Sequence, residues 1–473
     1  MTAARAAIAT GIDAVLTRVL GIAVGDLHDD LEYQSIWQWD SLRHVALMHE
    51  LEAYLGIQIS YDVMTQLRSV EKIRRFCRHD VNNAPTLLPM LPEVAVDSKS
   101  VQVHRGLDDI FIDRTKITRI DGERGTLEHR GYDIRELVDH ASFEDVAYLL
   151  LYGELPKAAA RATFMAKLAQ SRTIPLMTME TVRMMADASP IVALRTAVST
   201  LEAAAAREIA AGAPDAMLAA GLELIARVPE LVAMHHAFRS GRDLMPSPEG
   251  TCAERLLRGL LGRNPEVEEV RVIEQDLILH ADHCANASSF AGRIAIGCRA
   301  PLHAAVTAAI ATFSGFRHGG AVEQVAKMLD ALDSPADARA YVRRCMDQNI
   351  PVMGFGHRVY HTEDPRVRHV RASARRLAEA RGNRQDLDLI DALVDALRDY
   401  SRHGLAPNVD LYTLVTYRLL GLPDDLAISL FAAGRVVGWV AQAIEQQQSN
   451  VLIRPRLLYV GPDSRPYPRG DVP

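Results

Sequence analysis

Residues 351–366 read PVMGFGHRVYHTEDPR and combine residue types suited to proton transfer and anion binding. A histidine exchanges a proton near neutral pH, and an arginine holds a carboxylate through a bidentate fork. His357 follows two closely spaced glycines, which let the backbone approach a bulky ligand, and Arg366 comes nine residues later. The set suits a substrate with a carbonyl to protonate and an acid group to anchor. Taken alone, the same motif is equally typical of a glycine-rich loop that ends at a buried histidine with only a structural role.

Length and composition limit the classes of protein that the chain can represent. Its 473 residues predict two to four domains, and the net charge of −7 argues against nucleic acid as a partner. The five cysteines are odd in number and lack CxxC spacing, which favours reduced thiols in a cytoplasmic protein over disulfides or a zinc site. We therefore expect a cytoplasmic protein with no metal site.

The N-terminus is rich in alanine and arginine, as targeting segments are. Its apolar residues nevertheless recur at helical spacing, at Ile8, Ile12, Val15, Leu16 and Val19. This pattern predicts the first helix of a folded domain, with a transit peptide as the alternative. No apolar run is long enough to span a membrane by inspection, so no membrane partner is expected.

Residues 1–80 are predicted to form a small helical domain. A helix begins just after Asp40, a good N-cap residue, and Gly56 is a plausible stop. Ser41 therefore lies at a helix N-terminus, where backbone N–H groups and the helix dipole favour an attached phosphate. Taken alone, Asp40-Ser41 is more simply a helix cap.

The segment WDSLRHVALMHELEAYLGIQIS resembles acyl carrier proteins. The resemblance implies that Ser41 is the attachment site for 4′-phosphopantetheine and that a phosphopantetheinyl transferase acts on the chain. A carrier fold that is never modified remains the alternative.

Residues 81–103 carry three prolines and no helical period, which predicts a linker. From His104 onward, alanine-rich apolar segments at helical spacing alternate with breaks at 153–156, 262–265 and 421–423. Strand alternation is confined to a short piece near residues 117–129. The sequence predicts an all-α fold.

Seven stretches between residues 104 and 462 resemble the citrate synthase family, which includes 2-methylcitrate synthases. The clearest are LILHADHCANASSF (277–290), HGGAVE (318–323), PVMGFGHRVYHTEDPR, NVDLYTLVTYRLLGLP (408–423) and LIRPRLLYVGP (452–462). The others lie at 120–156 and 194–201. The resemblance implies a large helical part (about 104–319 and 421–473) and a smaller part (about 320–420) that closes over a cleft.

The resemblance also implies a reaction and the residues that perform it. Family members remove a proton from the α-carbon of an acyl thioester, add the enol to a 2-oxo acid, and hydrolyse the thioester. A carboxylate base needs a hydrogen-bond donor on the thioester oxygen, because that α-proton is far less acidic than a carboxylic acid. By resemblance, Asp410 is the base, His318 is the donor, and His357 protonates the 2-oxo carbonyl.

The 2-oxo dicarboxylate requires cations, and arginine fixes both charge and angle. Matched positions supply Arg366, Arg435 and Arg454, with His283 beside them, and Arg454 corresponds to an arginine that crosses to the partner subunit. The resemblance implies a homodimer that requires no metal or redox cofactor and uses acyl-CoA as a substrate.

Each of these residues also has a structural interpretation. His280 and His283 could be metal ligands or core histidines, and His280 is assigned a structural role. Asp410 after Asn408 could be part of a helix cap, and Arg454 could be an ordinary surface arginine.

The sequence departs from the family pattern at several positions. The substituted residues are Phe316, Arg317 and Val322 around His318, then Cys284, Gly434, Gln442 and the run Ser189-Pro190-Ile191. The changes around His318 flank the thioester donor and leave acyl-group size and the use of CoA open.

We expect an acyltransferase that condenses acetyl-CoA or a similar thioester with a 2-oxo acid such as oxaloacetate. The product would be citrate or an alkylcitrate. Two alternatives remain: a specialised synthase whose acyl group rides on the carrier domain, and a non-catalytic scaffold.

Overall fold

The computed structural model describes most of the chain in two separate units. The described residues are 2–33, 35–36, 38–39, 41–57, 59, 61–79, 107, 110–205, 214–243, 249–347, 350–357, 359–360, 362–398, 406–462 and 464–465. One unit comprises Met1–Arg114 and Ser449–Pro473, and the other comprises Thr115–Gln448. The predicted linker at 81–103 lies outside the described residues.

The first unit is helical within residues 1–80, for which the sequence predicts a small domain. Its helices are α1 (Thr2–Leu20), α2 (Ser41–Leu55), α3 (Tyr61–Gln66) and α4 (Val70–His79). Apolar side chains of α1, α2 and α4 form its core, among them Leu16, Leu51 and Ile73. Gly56 has a φ of +66° and ends α2, as predicted. Asp40 lies outside the described residues, as does the side chain of Ser41.

The second unit begins with the short piece of strand predicted near residues 117–129. Strands β1 (Thr118–Asp121), β2 (Thr126–His129) and β3 (Tyr132–Asp133) form an antiparallel sheet in the order β1-β2-β3. In this sheet Thr118 pairs with His129, and Glu128 pairs with Asp133.

All further regular elements in the described part of the second unit are helical, so the all-α prediction is confirmed. They are α5 (Ile134–His140), α6 (Phe143–Tyr152), α7 (Ala158–Gln170), α8 (Leu176–Met184), α9 (Pro190–Ala205), α10 (Pro214–Arg239), α11 (Cys252–Leu261), α12 (Val267–His280), α13 (Ala287–Gly297), α14 (Leu302–Phe313), α15 (Ala321–Asp330), α16 (Ala338–Asp347), α17 (Val367–Arg381), α18 (Gln385–Ala396), α19 (Val409–Leu419) and α20 (Ala427–Gln448), with short 3₁₀ turns between some of them.

The predicted breaks coincide with helix ends. Helices α6 and α11 end at Gly153 and Gly262, both of which adopt the left-handed conformation that glycine accepts without strain. Gly421 follows the end of α19 with a φ of +77°.

A row of polar contacts joins α17 to α5 and α12. His369 lies 3.2 Å from Asp139, Ser373 donates to Gln275 over 2.8 Å, and Arg376 pairs with Glu268 at 2.7 Å. These contacts fix the helix whose first turn follows Arg366.

Helix α20 is the most deeply buried element of the second unit and packs against α10, α12, α13 and α14. The sequence prediction that no segment is long and apolar enough to span a membrane was wrong. The segment Asp424–Gln448 has both the length and the apolar composition that such a span requires. Of its most apolar window, 94% is buried inside the protein, so the segment forms the core of this unit.

Gly438 allows α20 to lie directly against the loop that follows α12. Its backbone N–H donates to the carbonyl of Ala281 over 3.0 Å. A Cβ at Gly438 would lie 2.3 Å from that same oxygen and 2.5 Å from Oδ1 of Asp282. No side chain fits here without moving the backbone.

We predict that Gly438→Ala lowers the free energy of unfolding by about 1–3 kcal/mol, because the extra methyl group overpacks a rigid contact. Gly292→Ala on α13 is the matched control, since its Cβ would meet nothing closer than 3.6 Å. The control should be neutral or stabilising by up to about 1 kcal/mol through helix propensity. Urea unfolding of both variants measures the difference. A Gly438→Ala protein as stable as the control would contradict the close approach.

Candidate active site

The glycine-rich loop containing His357 is bound to the segment that leads into α19. Gly356 donates to the carbonyl of Ala406 over 2.8 Å, and Asn408 donates through its backbone to Gly354 and through its side chain to Gly356. Both glycines have positive φ values, +78° and +80°. These bonds fix the position of His357 relative to Asp410, because Asp410 lies in the first turn of the helix that Asn408 caps.

The hydrogen bonds of His357 determine which ring nitrogen carries the proton. Its Nδ1 accepts from the backbone N–H groups of Val359 at 2.9 Å and Tyr360 at 3.2 Å. Nδ1 must therefore be unprotonated, and the neutral ring carries its proton on Nε2. Burial, then the charge of Arg366, lowers the pKa of His357 to about 4, so the ring is neutral at physiological pH.

His283 lies beside His357, with 5.4 Å between the ring centroids. Its Nε2 is 3.1 Å from the hydroxyl of Tyr360. Burial, followed by the charge of Arg366, holds the pKa of His283 well below its usual value. It can therefore act as a neutral hydrogen-bonding group.

His318 lies in the turn between α14 and α15. Its Nε2 is 2.9 Å from Ser288 Oγ and 3.1 Å from Asn286 Oδ1, and the backbone N–H of Ser288 donates to it over 3.3 Å. Trp439 on α20 donates from Nε1 to Ser288 Oγ over 3.0 Å. Burial lowers the pKa of His318 to about 4, so this imidazole is also neutral.

Arg366 is buried and forms a bidentate ion pair with Asp364. Nε and Nη2 lie 2.9 Å and 2.7 Å from the two carboxylate oxygens. The side chains of both residues are at most 5% exposed. The Asp364 carboxylate keeps the pKa of the guanidinium above its usual value despite burial. Two of the five N–H donors of Arg366 are thus used within the protein.

Arg435 is buried without a carboxylate partner among the described residues. Its Nε donates to the carbonyl of His280 over 2.6 Å, and its guanidinium lies 5.2 Å from the centroid of Phe431. Burial lowers the pKa of Arg435 to about 10, so the group remains charged at neutral pH. It is a buried positive charge available to an anion.

The carboxylate of Asp410 has neither a hydrogen bond nor an ion pair within the described part of the chain. Burial raises its pKa to about 6, and the charges of Arg366 and Arg435 oppose that rise. Because these opposing effects leave the pKa of Asp410 at about 6, the carboxylate is ionised at neutral pH and is more basic than an exposed aspartate.

The loop after α12 is held by a second polar network. Asp282 Oδ2 accepts from the backbone N–H of Cys284 at 3.0 Å and from Gln442 Nε2 at 3.1 Å. Gln442 in turn accepts from Arg293 over 2.7 Å. His280 is fully buried against Phe431 and lies 3.2 Å from Asp276.

Two predicted residues belong to the other unit. Arg454 belongs to the other unit, where its side chain is exposed in the segment after α20. Ser41 is the first residue of α2 in that unit. In the part of the chain that the structure describes, no group of three or more His, Cys, Asp or Glu residues could hold a metal ion.

Sequence reasoning missed several residues that orient the predicted ones: Asn286, Ser288, Tyr360, Asp364 and Trp439. Asp364 and Tyr360 carried a local signal, because they lie within three residues of Arg366 and His357. The contacts of His318 with Asn286 and Ser288, and of Trp439 with Ser288, join residues far apart in the chain.

Comparison with known proteins places these residues in a family. Residues 106–456 match the family model described as citrate synthase, C-terminal domain. The chain is 37% identical to the citrate synthase of Haloferax volcanii over 371 residues, covering 76% of this chain and 97% of that protein. It is 34% identical to 2-methylcitrate synthase 2 of Corynebacterium glutamicum, covering 77% and 97%.

Solved structures agree with these sequence matches. The citrate synthase of Pyrobaculum aerophilum superimposes with a TM-score of 0.71 at 33% identity and covers 76% of this chain and 93% of its own. That of Thermoplasma acidophilum, in a ternary complex with carboxymethyl coenzyme A and oxaloacetate, gives 0.73 at 29% identity, with 77% and 98% covered. Since the family model spans most of the chain and every candidate residue from His283 to Arg454, the protein belongs to the citrate synthase family.

Proposed function

We propose that this protein condenses an acyl-CoA with oxaloacetate or a closely related 2-oxo dicarboxylate and hydrolyses the thioester. The products are citrate or an alkylcitrate and free CoA. The observation that carries the proposal is Asp410, a half-buried carboxylate with a raised pKa and no hydrogen-bond or ion-pair partner among the described residues, together with neutral imidazoles and two buried guanidinium groups. The relatives of this protein include both citrate and 2-methylcitrate synthases.

Asp410 is the base that removes the α-proton of the acyl group. A pKa near 6 makes it a better proton acceptor than an ordinary aspartate while leaving it ionised at neutral pH. His318 donates a hydrogen bond to the thioester oxygen as negative charge develops there. A neutral donor suits this task, because the enol must remain nucleophilic.

His357 protonates the 2-oxo carbonyl as the new carbon–carbon bond forms. The two backbone N–H groups on Nδ1 leave the proton on Nε2, which is the nitrogen available for transfer. Arg435 and Arg366 bind the carboxylates of the oxo acid, with His283 beside them. Arg366 keeps donors beyond those used by Asp364, and a bound carboxylate takes these.

Asp410→Asn and His318→Ala are each expected to lower turnover about 10²–10⁴-fold while leaving the fold intact, because both groups act on enolisation. The assay combines oxaloacetate and other 2-oxo acids with acetyl-, propionyl- and longer acyl-CoA, and records free thiol and product mass. Asp391→Asn on the exposed face of α18 is the control and should retain activity. Turnover within about tenfold of wild type in folded Asp410→Asn would rule out this mechanism.

The value of kcat/KM is expected to rise with pH and level off above about pH 7. Asp410 must be unprotonated to act as a base, and its pKa is about 6, so activity falls roughly tenfold per pH unit below that value. His318 and His357 stay neutral across this range because their pKa values are about 4. Initial rates between pH 4.5 and 8.5, with recovery checked at pH 7.5, test the assignment. An acid limb near pH 4 would contradict it.

The protein is proposed to act as a homodimer in which Arg454 serves the active site of the partner subunit. Mixing Arg454→Ala chains with Asp410→Asn chains should produce hybrid dimers with one doubly defective site and one intact site. Activity should then partly return. If subunit exchange is demonstrated and no activity returns, Arg454 is not shared in this way.

Ser41 is proposed to carry 4′-phosphopantetheine, so that an acyl group can reach the site from the carrier-like domain. At about 3.3 Å per extended residue, the predicted linker 81–103 could span tens of ångströms. The start of α2 at Ser41 favours a phosphodiester there.

Intact-protein mass spectrometry after treatment with a broad phosphopantetheinyl transferase and CoA should show one added arm in wild type and none in Ser41→Ala. A known carrier protein modified in parallel is the control. If that carrier gains mass and this chain does not, the modification hypothesis ends. If the arm is present, Ser41→Ala should abolish condensation from it and spare reaction with free acyl-CoA.

The division of residues 104–473 into a large part (about 104–319 and 421–473) and a closing small part (about 320–420) also stays a prediction. The same holds for a cytoplasmic location, which the five free cysteines favour.

A further inference from the structure

Gln442, a buried residue of α20, is bonded to the residue that precedes His283. Its Nε2 lies 3.1 Å from Oδ2 of Asp282, and its Oε1 lies 2.7 Å from Nε of Arg293. We propose that Gln442 is a positioning residue that, through Asp282, holds His283 in place for the 2-oxo acid. The substrate contact of His283 rests on the proposed function, whereas the restraint on the loop is a property of the protein without substrate.

The first step of the argument concerns the orientation of the Gln442 amide. A guanidinium N–H can only donate, so the Gln442 atom that faces Arg293 must be the carbonyl oxygen. The amide nitrogen, which can only donate, then faces the Asp282 carboxyl group. Reversing the amide would set donor against donor at one end and acceptor against acceptor at the other. The two neighbours of Gln442 therefore fix its orientation.

The second step concerns Arg293, the group on α13 to which Gln442 is anchored. Arg293 is 3% exposed, and each of its three guanidinium nitrogens donates to a side chain of α20: Gln442, Glu445 and Gln446. Glu445 also accepts from the backbone N–H of Lys116 over 2.8 Å. The Gln442 amide cannot turn away from Arg293 without leaving a buried donor unpaired, which is costly in the interior of a protein.

The third step concerns Asp282, which passes this restraint to the loop. Asp282 is fully buried, and its Oδ2 accepts from Gln442 and from the backbone N–H of Cys284 at 3.0 Å. Its Oδ1 lies against Gly438 of α20 and has no hydrogen-bond partner among the described residues. Loss of the Gln442 donor would thus leave this buried carboxyl group with a single hydrogen bond, and the side chain would no longer be fixed from the α20 side.

The turn that Asp282 stabilises contains a residue in an unfavourable backbone conformation. Cys284 has a φ of +51°, which is uncommon for a residue with a side chain. The bond from its backbone N–H to Asp282 forms an Asx-type turn, which supports this conformation. His283 lies between these two residues in the chain, so a movement of the turn displaces its imidazole. Hydrogen bonds weaken steeply with poor geometry, so a displaced His283 binds the oxo acid less well.

Gln442→Met tests this contact, and Gln446→Met is its matched control. Methionine is unbranched and adapts to the space available, and both substitutions remove one acceptor from Arg293. Only the first also removes a donor from Asp282, because the described hydrogen bonds of Asp282 do not include Gln446. Should Gln442→Met fail to fold, Gln442→Glu decides, since it keeps an oxygen for Arg293 and loses the amide donor.

The first readout is the alkylation rate of Cys284, which requires no substrate. Thiols are labelled with iodoacetamide at pH 8 and quantified by peptide mass spectrometry, with the exposed Cys298 at the end of α13 as the internal reference. Because Cys284 is half-buried, Gln442→Met should raise its rate about three- to tenfold relative to Cys298, the effect of one lost hydrogen bond. Gln446→Met should stay within about twofold of wild type. An unchanged rate in folded Gln442→Met would overturn the proposal, as would an equal rise in both variants.

Steady-state kinetics provide the second readout. Gln442→Met should raise KM for oxaloacetate about five- to tenfold, with kcat and KM for acetyl-CoA within about twofold, because His283 acts in binding the oxo acid. Gln446→Met should leave all three parameters within about twofold of wild type. An unchanged KM for oxaloacetate in Gln442→Met, or the same rise in Gln446→Met, would reject the proposal. If wild type turns over no acyl-CoA at all, the proposed function fails, and the thiol labelling still decides whether Gln442 holds the loop.

Discussion

Charged groups are buried together at this site, and they must stay charged without being fully paired with one another. Removing an unpaired charge from water costs several kcal/mol, so such groups persist only where the fold compensates them. Arg366 is compensated by the Asp364 carboxylate. Arg435 instead donates to the carbonyl of His280 and lies against Phe431. For Asp410, burial raises the pKa of the carboxyl group. The result is a guanidinium without a carboxylate partner among the described residues, which is the condition that a site for a dicarboxylate requires.

Helix α20 makes this arrangement possible by presenting one face to the loop that follows α12. Arg435, Gly438, Trp439 and Gln442 are spaced i, i+3, i+4 and i+7, so they share a face of the helix. They contact, in turn, the carbonyl of His280, the backbone of Ala281, Ser288 and Asp282. One rigid element therefore sets the position of the loop that carries His283 and, through Ser288, of His318. Most of the other residues of this helix before Glu445 are apolar and buried in the core.

Local patterns were enough to predict the helices and their glycine ends, because each signal lies within a few positions of the chain. Gly153 after α6 and Gly262 after α11 are examples. The candidate site residues came instead from a resemblance to a family, and their roles stay predictions. The contacts of Trp439 with Ser288 and of Gln442 with Asp282 span about 150 residues, and no local pattern encodes them. The burial of α20 is not encoded locally either. Hydropathy counts apolar residues and would admit Asp424–Gln448 as a membrane span, whereas its burial within the protein depends on neighbours from elsewhere in the sequence.

The departures from the family pattern fall into two groups, those within the packed interior and those exposed at the surface. Val322 is buried in the core of the second unit, and Gln442 bridges Asp282 and Arg293. At Gly434 a Cβ would lie 2.9 Å from the carbonyl of Leu277, so glycine matches the spacing that α20 adopts here. These changes are accommodated within the packing and do not alter the acid–base groups. Phe316 and Arg317 differ in kind, because both side chains are exposed immediately before His318. A large aromatic side chain and a positive charge are therefore exposed at that point. The proposed condensation therefore relies on groups that the core holds in place, whereas these exposed departures lie directly before the proposed thioester donor, His318.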